Sequence, residues 1–363
     1  MSSNYTFTKS ILDWYARHKR PMPWRETNDP YKIWISEIML QQTRVEQAWP
    51  YFERFISEFP RVSDLAAAEQ HQVMKIWEGL GYYSRARNLH AAAKMIVSDY
   101  DGKLPEDYHE IIKLKGIGPY TAAAITSIAF GKPHAVVDGN VIRVITRYFG
   151  IEKDVRSAKT TKMVQEHVDE LISHTFPADF NQGMMELGAT VCMPKNPDCD
   201  NCPISFDCIA IRLAKTDVIP YKSVAKKKPH KHIGVGIIQR EDGKVLIALR
   251  PENVMLGGLW EFPGGKQEEG ESIQQTIERE LFEELGVEVK AFKKFMKFKH
   301  IYSHFSITMY AYLCYSISGE PSPKSSQEIR WVEISELEHY AFPKANKKLT
   351  ERLMGIGQGD LGL

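Results

Sequence analysis

Residues 114–121 read Leu-Lys-Gly-Ile-Gly-Pro-Tyr-Thr, and this stretch predicts two helices joined by a tight glycine turn. Gly116 and Gly118 permit the turn, and Pro119 suits the first position of the second helix because proline lacks an N–H group. The N–H groups at such a helix start point outward, where they can hold a phosphate without reading nucleotide sequence. An ordinary helix end followed by a turn would look the same, so this stretch alone leaves both interpretations open.

The residues around this turn, from 1 to 217, predict an all-α domain. Apolar residues recur at helical spacing on both sides of the turn. They do so in residues 34–45, 64–80 and 120–130.

The composition changes after residue 217. Residues 218–231 are rich in lysine and contain two prolines, which predicts a linker. Residues 232–250 hold two β-rich runs joined by Glu-Asp-Gly, which predicts a hairpin. A helical stretch at 272–285 and a strand-like stretch at 306–317 follow. We therefore expect a multidomain chain in which an α/β domain occupies residues 232–363.

Four of the five cysteines form one short run with the spacing C-x6-C-x2-C-x5-C, namely Cys192, Cys199, Cys202 and Cys208. Four thiols so close together predict a metal site. One short pair flanked by wider intervals favours a [4Fe–4S] cluster over zinc, which usually takes two short pairs and stays the alternative. The fifth, Cys314, is predicted to be a buried strand residue.

The bulk composition predicts a soluble globular protein. Hydrophobic residues make up 43% of the chain, charged residues 26%, and the formal net charge is +1. No apolar run approaches a membrane span, and the first residues lack a signal-peptide core, so we expect a cytoplasmic protein with no membrane partner. We also expect a monomer. The small net charge neither indicates nor excludes nucleic acid, because binding needs only a local basic face.

Two carboxylates stand in contrasting sequence environments. Glu37 lies within an apolar helical stretch, where burial would raise the pKa of its carboxyl group. Asp138 precedes a predicted helix, whose positive end would favour the carboxylate anion. Taken singly, Glu37 could lie on a wet helix face and Asp138 could be a simple helix cap.

Taken in order, these features resemble the helix-hairpin-helix DNA glycosylase superfamily and, within it, the MutY-type adenine DNA glycosylases. The resemblance covers nearly the whole chain. It rests on residues 36–43, 79–89, 114–121, 137–141 and 180–182, together with the four clustered cysteines. It implies excision of adenine mispaired with guanine or 8-oxoguanine in double-stranded DNA.

The resemblance also implies roles for single residues. Glu37 would protonate adenine and later activate water, and Asp138 would stabilise the positive sugar. The remaining implied DNA and base contacts are Gln42 and Tyr82 as wedges, and Tyr120, Asn140 and Gln182 around the base. Lyase-type relatives carry a lysine where this chain has Tyr120, so a monofunctional glycosylase is expected.

Residues 265–287 fill every position of a Nudix box. Glu280, Glu283 and Glu284 share one helix face, where they would repel one another unless a cation such as Mg²⁺ joined them. A solvated acidic face is the other interpretation of these charges.

In the resembled family the carboxy-terminal domain recognises 8-oxoguanine, with Ser303 and His304 at the matching loop, and its box is usually eroded. The intact box here keeps open a bifunctional chain that also hydrolyses nucleotides such as 8-oxo-dGTP. A separate alternative, for the whole chain, is a DNA-binding scaffold without activity. Residues 290–300 interleave lysines with aromatic residues, which suits a phosphate-facing surface or a strand with a wet lysine face.

Overall fold

The computed structural model describes residues 2–224, 228–302 and 305–356. The chain forms two compact units. The first contains Met1–Ala67 and Ala91–Ala225, and the second contains Ala68–His90 and Lys226–Leu363. The short segment 68–90 therefore groups with the carboxy-terminal part of the chain, although the sequence pattern places it among the helices.

The expected helical character of the first half is confirmed. Its helices, in chain order, are α1 (Ser2–His18), α2 (Pro30–Leu40), α3 (Val45–Glu58), α4 (Val62–Ala67), α5 (Gln70–Ile76), α6 (Ser84–Asp99), α7 (Tyr108–Ile111), α8 (Pro119–Phe130), α9 (Gly139–Tyr148), α10 (Ala158–Leu171), α11 (Pro177–Thr190) and α12 (Ile209–Arg212). Of these, α5 and the first part of α6 belong to the second unit. Within the described ranges, no helix is both long and apolar enough to cross a membrane.

Packing in the first unit brings distant parts of the sequence together. Helix α11 packs against α1, α8 and α9, and α2 packs against α8. The buried core between α1, α9 and α11 includes Phe7, Val144, Phe180 and Met184. This arrangement places the glycine turn before α8, the start of α9 and the Glu37 position of α2 beside one another.

The second unit contains two sheets and two further helices. Its elements are β1 (His230–Ile238), β2 (Val245–Leu249), β3 (Trp260–Glu261), β4 (Gly264–Lys266), α13 (Ile273–Leu285), β5 (Glu288–Ile301), β6 (Ser306–Ser318), β7 (Glu328–Val332) and α14 (Lys344–Ile356). One sheet has the order β4-β1-β6-β5 and the other β3-β2-β7. Cys314 is fully buried on β6, as predicted.

The predicted hairpin between β1 and β2 is wrong. The turn itself forms, with the Arg240 N–H donating to the Lys244 carbonyl at 2.8 Å. However, the strands separate after a single bridge between Gln239 and Val245, and they enter different sheets. The reason is that β1 pairs in parallel with β6 along its whole length, which leaves β2 to pair with β3 and β7.

Candidate active site

Glu37 lies on the face of α2 that turns away from solvent. Helix α2 begins where Asp29 accepts a hydrogen bond from the Tyr31 N–H at 2.9 Å, and its neighbours Ile33, Trp34 and Ile38 are buried. Glu37 itself is only 6% exposed. The alternative of a wet helix face for Glu37 is therefore excluded.

The Tyr120 hydroxyl donates a hydrogen bond to Glu37 Oε2 at 3.0 Å. Burial raises the pKa of Glu37 to about 7, the negative charge of Asp138 acts in the same direction, and the Tyr120 hydrogen bond partly opposes both. Burial and the nearby carboxylates raise the pKa of Tyr120 well above 10, so its hydroxyl stays protonated as a donor. Near neutral pH the Glu37 carboxyl can thus be present as an acid.

Asp138 caps the first turn of α9. Its Oδ1 accepts from the N–H groups of Asn140 at 2.8 Å and Val141 at 2.7 Å, while Oδ2 accepts from the Asn140 side-chain amide at 2.8 Å. Burial nevertheless raises the pKa of Asp138 above its usual value, with these hydrogen bonds and Arg143 acting against the increase. The expectation that the helix terminus alone would favour the anion is therefore corrected, because it left out burial. What separates the two acids is that Asp138 has three donors and Glu37 has one from Tyr120.

The predicted base-contacting residues meet around one cavity of about 190 Å³. Its walls include the catalytic candidates and the three residues expected around the base, Glu37, Tyr120, Asp138, Asn140 and Gln182. A second, more open cavity beside it shares Glu37, Tyr120 and Asp138, and its walls add Gln42, Gly116 and Gly118. The structure thus brings the glycine turn and the two carboxylates to one region.

The turn before α8 has the backbone that its glycines predict. Gly116 has φ of 80°, which is favourable only without a Cβ atom. Gly118 is the residue before α8, and Pro119 occupies the first helical position. The turn therefore leads directly into the start of a twelve-residue helix.

Both predicted wedge residues adopt an unusual backbone conformation. Gln42 has φ of 57° and Tyr82 has φ of 49°, although neither is a glycine. Such conformations are unfavourable and persist only where surrounding contacts hold them, and they concentrate at functional sites. Gln42 belongs to the first compact unit and Tyr82 to the second.

Sequence reasoning missed an ionic cluster in the wall of the smaller cavity. Glu186, on α11, is 1% exposed and accepts from Arg20 Nε at 2.6 Å and from Arg25 Nη2 at 2.8 Å. Burial on its own would raise the pKa of Glu186, but the two arginines outweigh it and lower the pKa. One sequence signal could have indicated this cluster. Glu186 is an isolated charge in the apolar run of α11, and a buried carboxylate needs cationic or hydrogen-bonding partners.

Arg143 joins the start of α9 to the cysteine run, a connection that sequence reasoning also missed. Its guanidinium donates to Asn140 Oδ1 at 2.9 Å, to the Gly188 carbonyl at 2.6 Å and to the Cys192 carbonyl at 2.7 Å. A Cβ atom on Gly188 would lie 2.5 Å from the Asn140 side chain, so this close approach requires glycine. The Asn140 side-chain amide, which donates to Asp138, is therefore held by Arg143, and Arg143 also binds the first residue of the cysteine run.

All four clustered cysteines are free thiols and line one small cavity of about 20 Å³. Arg147, one turn after Arg143, donates to Cys192 Sγ at 3.3 Å and to the Met193 carbonyl at 2.7 Å. Burial raises the pKa of Cys202 to about 12, with small additional effects from the other thiols. Across residues 2–224, 228–302 and 305–356, no three His, Cys, Asp or Glu side chains form a group that could hold a single metal ion. The four thiols around this cavity are a separate matter, because a multi-iron cluster is bound by thiols that stand further apart than the ligands of one ion.

In the second unit, Arg279 compensates the acidic face of α13. Its guanidinium lies 2.6 Å from Glu271, 3.2 Å from Glu280 and 3.1 Å from Glu283. Glu280 and Glu283 therefore do not need Mg²⁺ to relieve their repulsion, because Arg279 lies between them, and the structure gives no support for Mg²⁺ at this face. Glu284 instead accepts from the Gly264 N–H at 3.1 Å, and burial raises its pKa to about 7.

The predicted opposite-base loop lies between β5 and β6. Tyr302 stacks on Phe305 with ring centroids 4.7 Å apart, and its N–H donates to the Phe305 carbonyl at 2.8 Å. Ser303 and His304, between them, lie outside the described residues.

The helical unit and its acidic pocket define a helix-hairpin-helix DNA glycosylase joined to a Nudix-like unit. A family model described as HhH-GPD superfamily base excision DNA repair protein matches residues 35–174, and one described as NUDIX domain matches residues 234–352. This confirms the fold class expected from the sequence. The thermostable thymine-DNA glycosylase of known structure is 31% identical, with a TM-score of 0.54, over 58% of this chain and 98% of its own.

Two relatives narrow the class further. The adenine DNA glycosylase of Buchnera aphidicola subsp. Acyrthosiphon pisum is 31% identical over 96% of this chain and 98% of its own length. The adenine DNA glycosylase of Mus musculus is 32% identical over 94% of this chain and 77% of its own. The chain belongs to the family of adenine DNA glycosylases, which confirms the resemblance and favours neither a nucleotide hydrolase nor an inactive scaffold.

Proposed function

We propose that this enzyme excises adenine paired with 8-oxoguanine or guanine in double-stranded DNA by hydrolysing the N-glycosidic bond. The observation that carries the proposal is the pair Glu37 and Asp138 in one cavity, with Tyr120 hydrogen-bonded to Glu37. The two acids line a cavity inside the protein and cannot contact a base that is stacked in the duplex. Adenine must therefore first be extruded from the duplex.

Two acids suit this reaction because the leaving adenine needs a proton, whereas the positive sugar needs a nearby negative charge. The protonated Glu37 carboxyl, with a pKa of about 7, gives its proton to a ring nitrogen of adenine. The bond to the sugar then breaks with its electron pair leaving on adenine. The Asp138 carboxylate, held by three donors, stabilises the positive sugar carbon. A water molecule attacks that carbon, and the Glu37 carboxylate accepts the water's proton.

The enzyme is proposed to leave an abasic site without cutting the strand. Tyr120 occupies the place of an amine nucleophile, and the cations of this pocket wall are Arg20 and Arg25. Guanidinium groups stay protonated in proteins and do not attack the sugar. Borohydride should therefore trap no covalent complex between the enzyme and DNA that carries an abasic site. Efficient crosslinking would contradict this part of the proposal.

The cysteine run is proposed to hold a [4Fe–4S] cluster through Cys192, Cys199, Cys202 and Cys208. The fit rests on four free thiols around one cavity, with the cationic Arg147 at Cys192 Sγ. A positive metal group would stabilise the thiolates, whose neutral form burial favours in its absence. When bound, the cluster supplies a rigid crosslink of the run, and no step of hydrolysis needs its electrons.

The Nudix-like unit, with predicted domain bounds 232–363, is proposed to recognise the base opposite adenine. Tyr302 and Phe305, which stack on one another, flank Ser303 and His304 in the chain. The side chains of Ser303 and His304 carry donors and acceptors that suit a purine edge.

The test is adenine release from duplexes that differ only in the opposite base. Wild type should release adenine opposite 8-oxoguanine and opposite guanine, but not opposite thymine. Substituting both Ser303 and His304 by alanine should reduce the preference for 8-oxoguanine while leaving excision opposite guanine nearly unchanged. An unchanged preference would refute the assigned role of the loop, and no adenine release by wild type would refute the proposed function.

A further inference from the structure

The Tyr82 loop, residues 79–83, lies in the second compact unit together with the Nudix-like fold. It connects α5 to α6, and three of its residues have positive φ, namely Gly79 at 98°, Gly81 at 79° and Tyr82 at 49°. Glycine adopts this conformation readily, whereas Tyr82 does so only where neighbouring contacts hold it.

Glu78, the residue before the loop, is bound to the Nudix-like fold on two sides. Its side chain is 7% exposed, and Oε1 accepts from the Phe342 N–H at 3.0 Å. Oε2 accepts from Lys75 at 2.8 Å and from Lys347, on α14, at 3.0 Å. Burial on its own would raise the pKa of Glu78, but these donors outweigh it and lower the pKa. An anion paired with cations from both sides is a strong, geometrically specific contact.

Tyr83, the last residue of the loop, makes the matching contact from the other end. It is 4% exposed, and its hydroxyl donates to the Phe342 carbonyl at 3.2 Å. The same hydroxyl accepts from the Gly79 N–H at 3.2 Å. The backbone N–H and carbonyl of Phe342 are thus bound to residues on either side of Tyr82.

Phe342 is a fixed anchor for the loop. Its ring is 1% exposed in the core of the Nudix-like fold and stacks on Phe262 with centroids 6.0 Å apart. A backbone fixed in a packed core cannot shift without disturbing that core. The conformation of the Tyr82 loop is therefore tied to the fold that is proposed to read the opposite base.

We propose that Glu78 and Tyr83 are positioning residues through which the Nudix-like fold holds the Tyr82 loop in the conformation that enters the DNA stack. The proposal rests on the proposed function, since it takes Tyr82 as a wedge that helps adenine leave the duplex. The Nudix-like fold then contributes to adenine extrusion as well as to recognition.

The experiment uses the full-length enzyme and measures single-turnover adenine release at saturating enzyme from two duplexes. In the first, adenine faces 8-oxoguanine and is stacked and paired. In the second, adenine faces an abasic-site analogue, so extrusion costs less. A purely structural role would slow both reactions equally, whereas a role in extrusion slows the first selectively.

Two variants remove the contacts with little change of shape. Glu78→Gln removes the charge between the two lysines, and Tyr83→Phe removes the hydroxyl at Phe342. Each should slow release from the first duplex by about tenfold and from the second by less than about twofold. The matched controls, Glu166→Gln and Tyr315→Phe, alter exposed side chains of the same types and should leave both rates unchanged.

A further variant guards against loss of folding. Lys347→Gln changes a residue with 43% of its side chain exposed and keeps the other bonds of Glu78. It should give the same selective loss, with a smaller magnitude and an unchanged thermal midpoint. If Glu78→Gln fails to fold, Tyr83→Phe and Lys347→Gln decide the outcome.

Tyr82→Ala separates the wedge role of Tyr82 from the positioning role of Glu78 and Tyr83. If it shows the selective loss while the Glu78, Tyr83 and Lys347 variants match wild type, the positioning role is overturned and the wedge role stands. Equal losses on both duplexes in these variants also overturn the positioning role. If Tyr82→Ala matches wild type on both duplexes, the wedge and the positioning role fall together.

Discussion

Replacing Glu37 by Gln should abolish excision and, at alkaline pH, make the protein more stable. In the folded protein the pKa of Glu37 is raised from 4.5 to about 7, mainly by burial. The unfolded chain therefore loses this proton at lower pH than the folded chain. The wild type should lose stability as pH rises from the unfolded pKa through the folded one, and a glutamine at this position should not.

The size of this effect follows from the displacement of the pKa. At about 1.4 kcal/mol per pH unit, the raised pKa corresponds to a penalty of about 3 kcal/mol above pH 8. At pH 5 most of that penalty is absent. Glu37→Gln keeps the side-chain volume and an oxygen that can accept from Tyr120. Cavity formation and hydrogen-bond loss therefore contribute little to the difference in unfolding free energy between variant and wild type.

The assay is urea unfolding of wild type and Glu37→Gln at pH 5 and pH 8.5, followed by circular dichroism. The stability of the variant relative to wild type should increase by about 2–3 kcal/mol between the two pH values. Glu166→Gln, on the exposed face of α10, serves as the control and should show no such change. A difference between Glu37→Gln and wild type that is the same at both pH values would refute the account of Glu37 as a buried, protonated acid.

Further predictions concern Tyr120, Arg143, the cysteine run and the glycine turn. Tyr120→Phe removes the hydrogen bond that lowers the Glu37 pKa, so the alkaline limb of the single-turnover pH profile should move to higher pH; an unmoved limb contradicts the contact. Arg143→Met should destabilise the protein by about 3 kcal/mol and slow excision, because three buried acceptors lose their donor; a normal urea midpoint would count against this network. Cys199→Ser should reduce folding yield and DNA affinity more than the excision step, and normal yield and affinity with a dead chemical step would refute the structural role of the cluster. Gly116→Ala should cost about 1 kcal/mol of stability and weaken DNA binding, since φ of 80° disfavours a Cβ atom; equal affinity in a filter-binding titration would argue against the turn as a phosphate site.

Local sequence patterns predicted the parts of the site that depend on one segment. The glycines at 116 and 118 define their own turn, and the apolar run around Glu37 indicates that its helix is buried. Asp138 was correctly placed at the start of a helix, because a cap is a local feature. Its raised pKa was not foreseen, since it comes from burial in a cavity whose walls are shared with α2 and α8, which come from elsewhere in the chain.

Contacts between distant segments could not be predicted from the sequence either, because local patterns do not show which segments meet in the fold. The Arg143 side chain meets the Cys192 carbonyl across 49 positions, and no periodicity encodes such a pair. Strand pairing failed similarly at residues 232–250, where a good turn signal could not show that β1 prefers β6 as its partner. The grouping of residues 68–90 with the Nudix-like fold is also invisible in the sequence, because contacts such as those of Glu78 and Tyr83 with the Phe342 backbone join positions more than 250 residues apart.

We propose that Glu37 and Asp138 carry out the chemistry and that the rest of the protein positions DNA for them. The most direct measurement is single-turnover adenine release from a duplex with adenine opposite 8-oxoguanine, together with binding of the same duplex. Glu37→Gln and Asp138→Asn should each lower the rate of release by at least about a hundredfold while the dissociation constant stays within about threefold of wild type. Adenine release at the wild-type rate by either variant would contradict the claim.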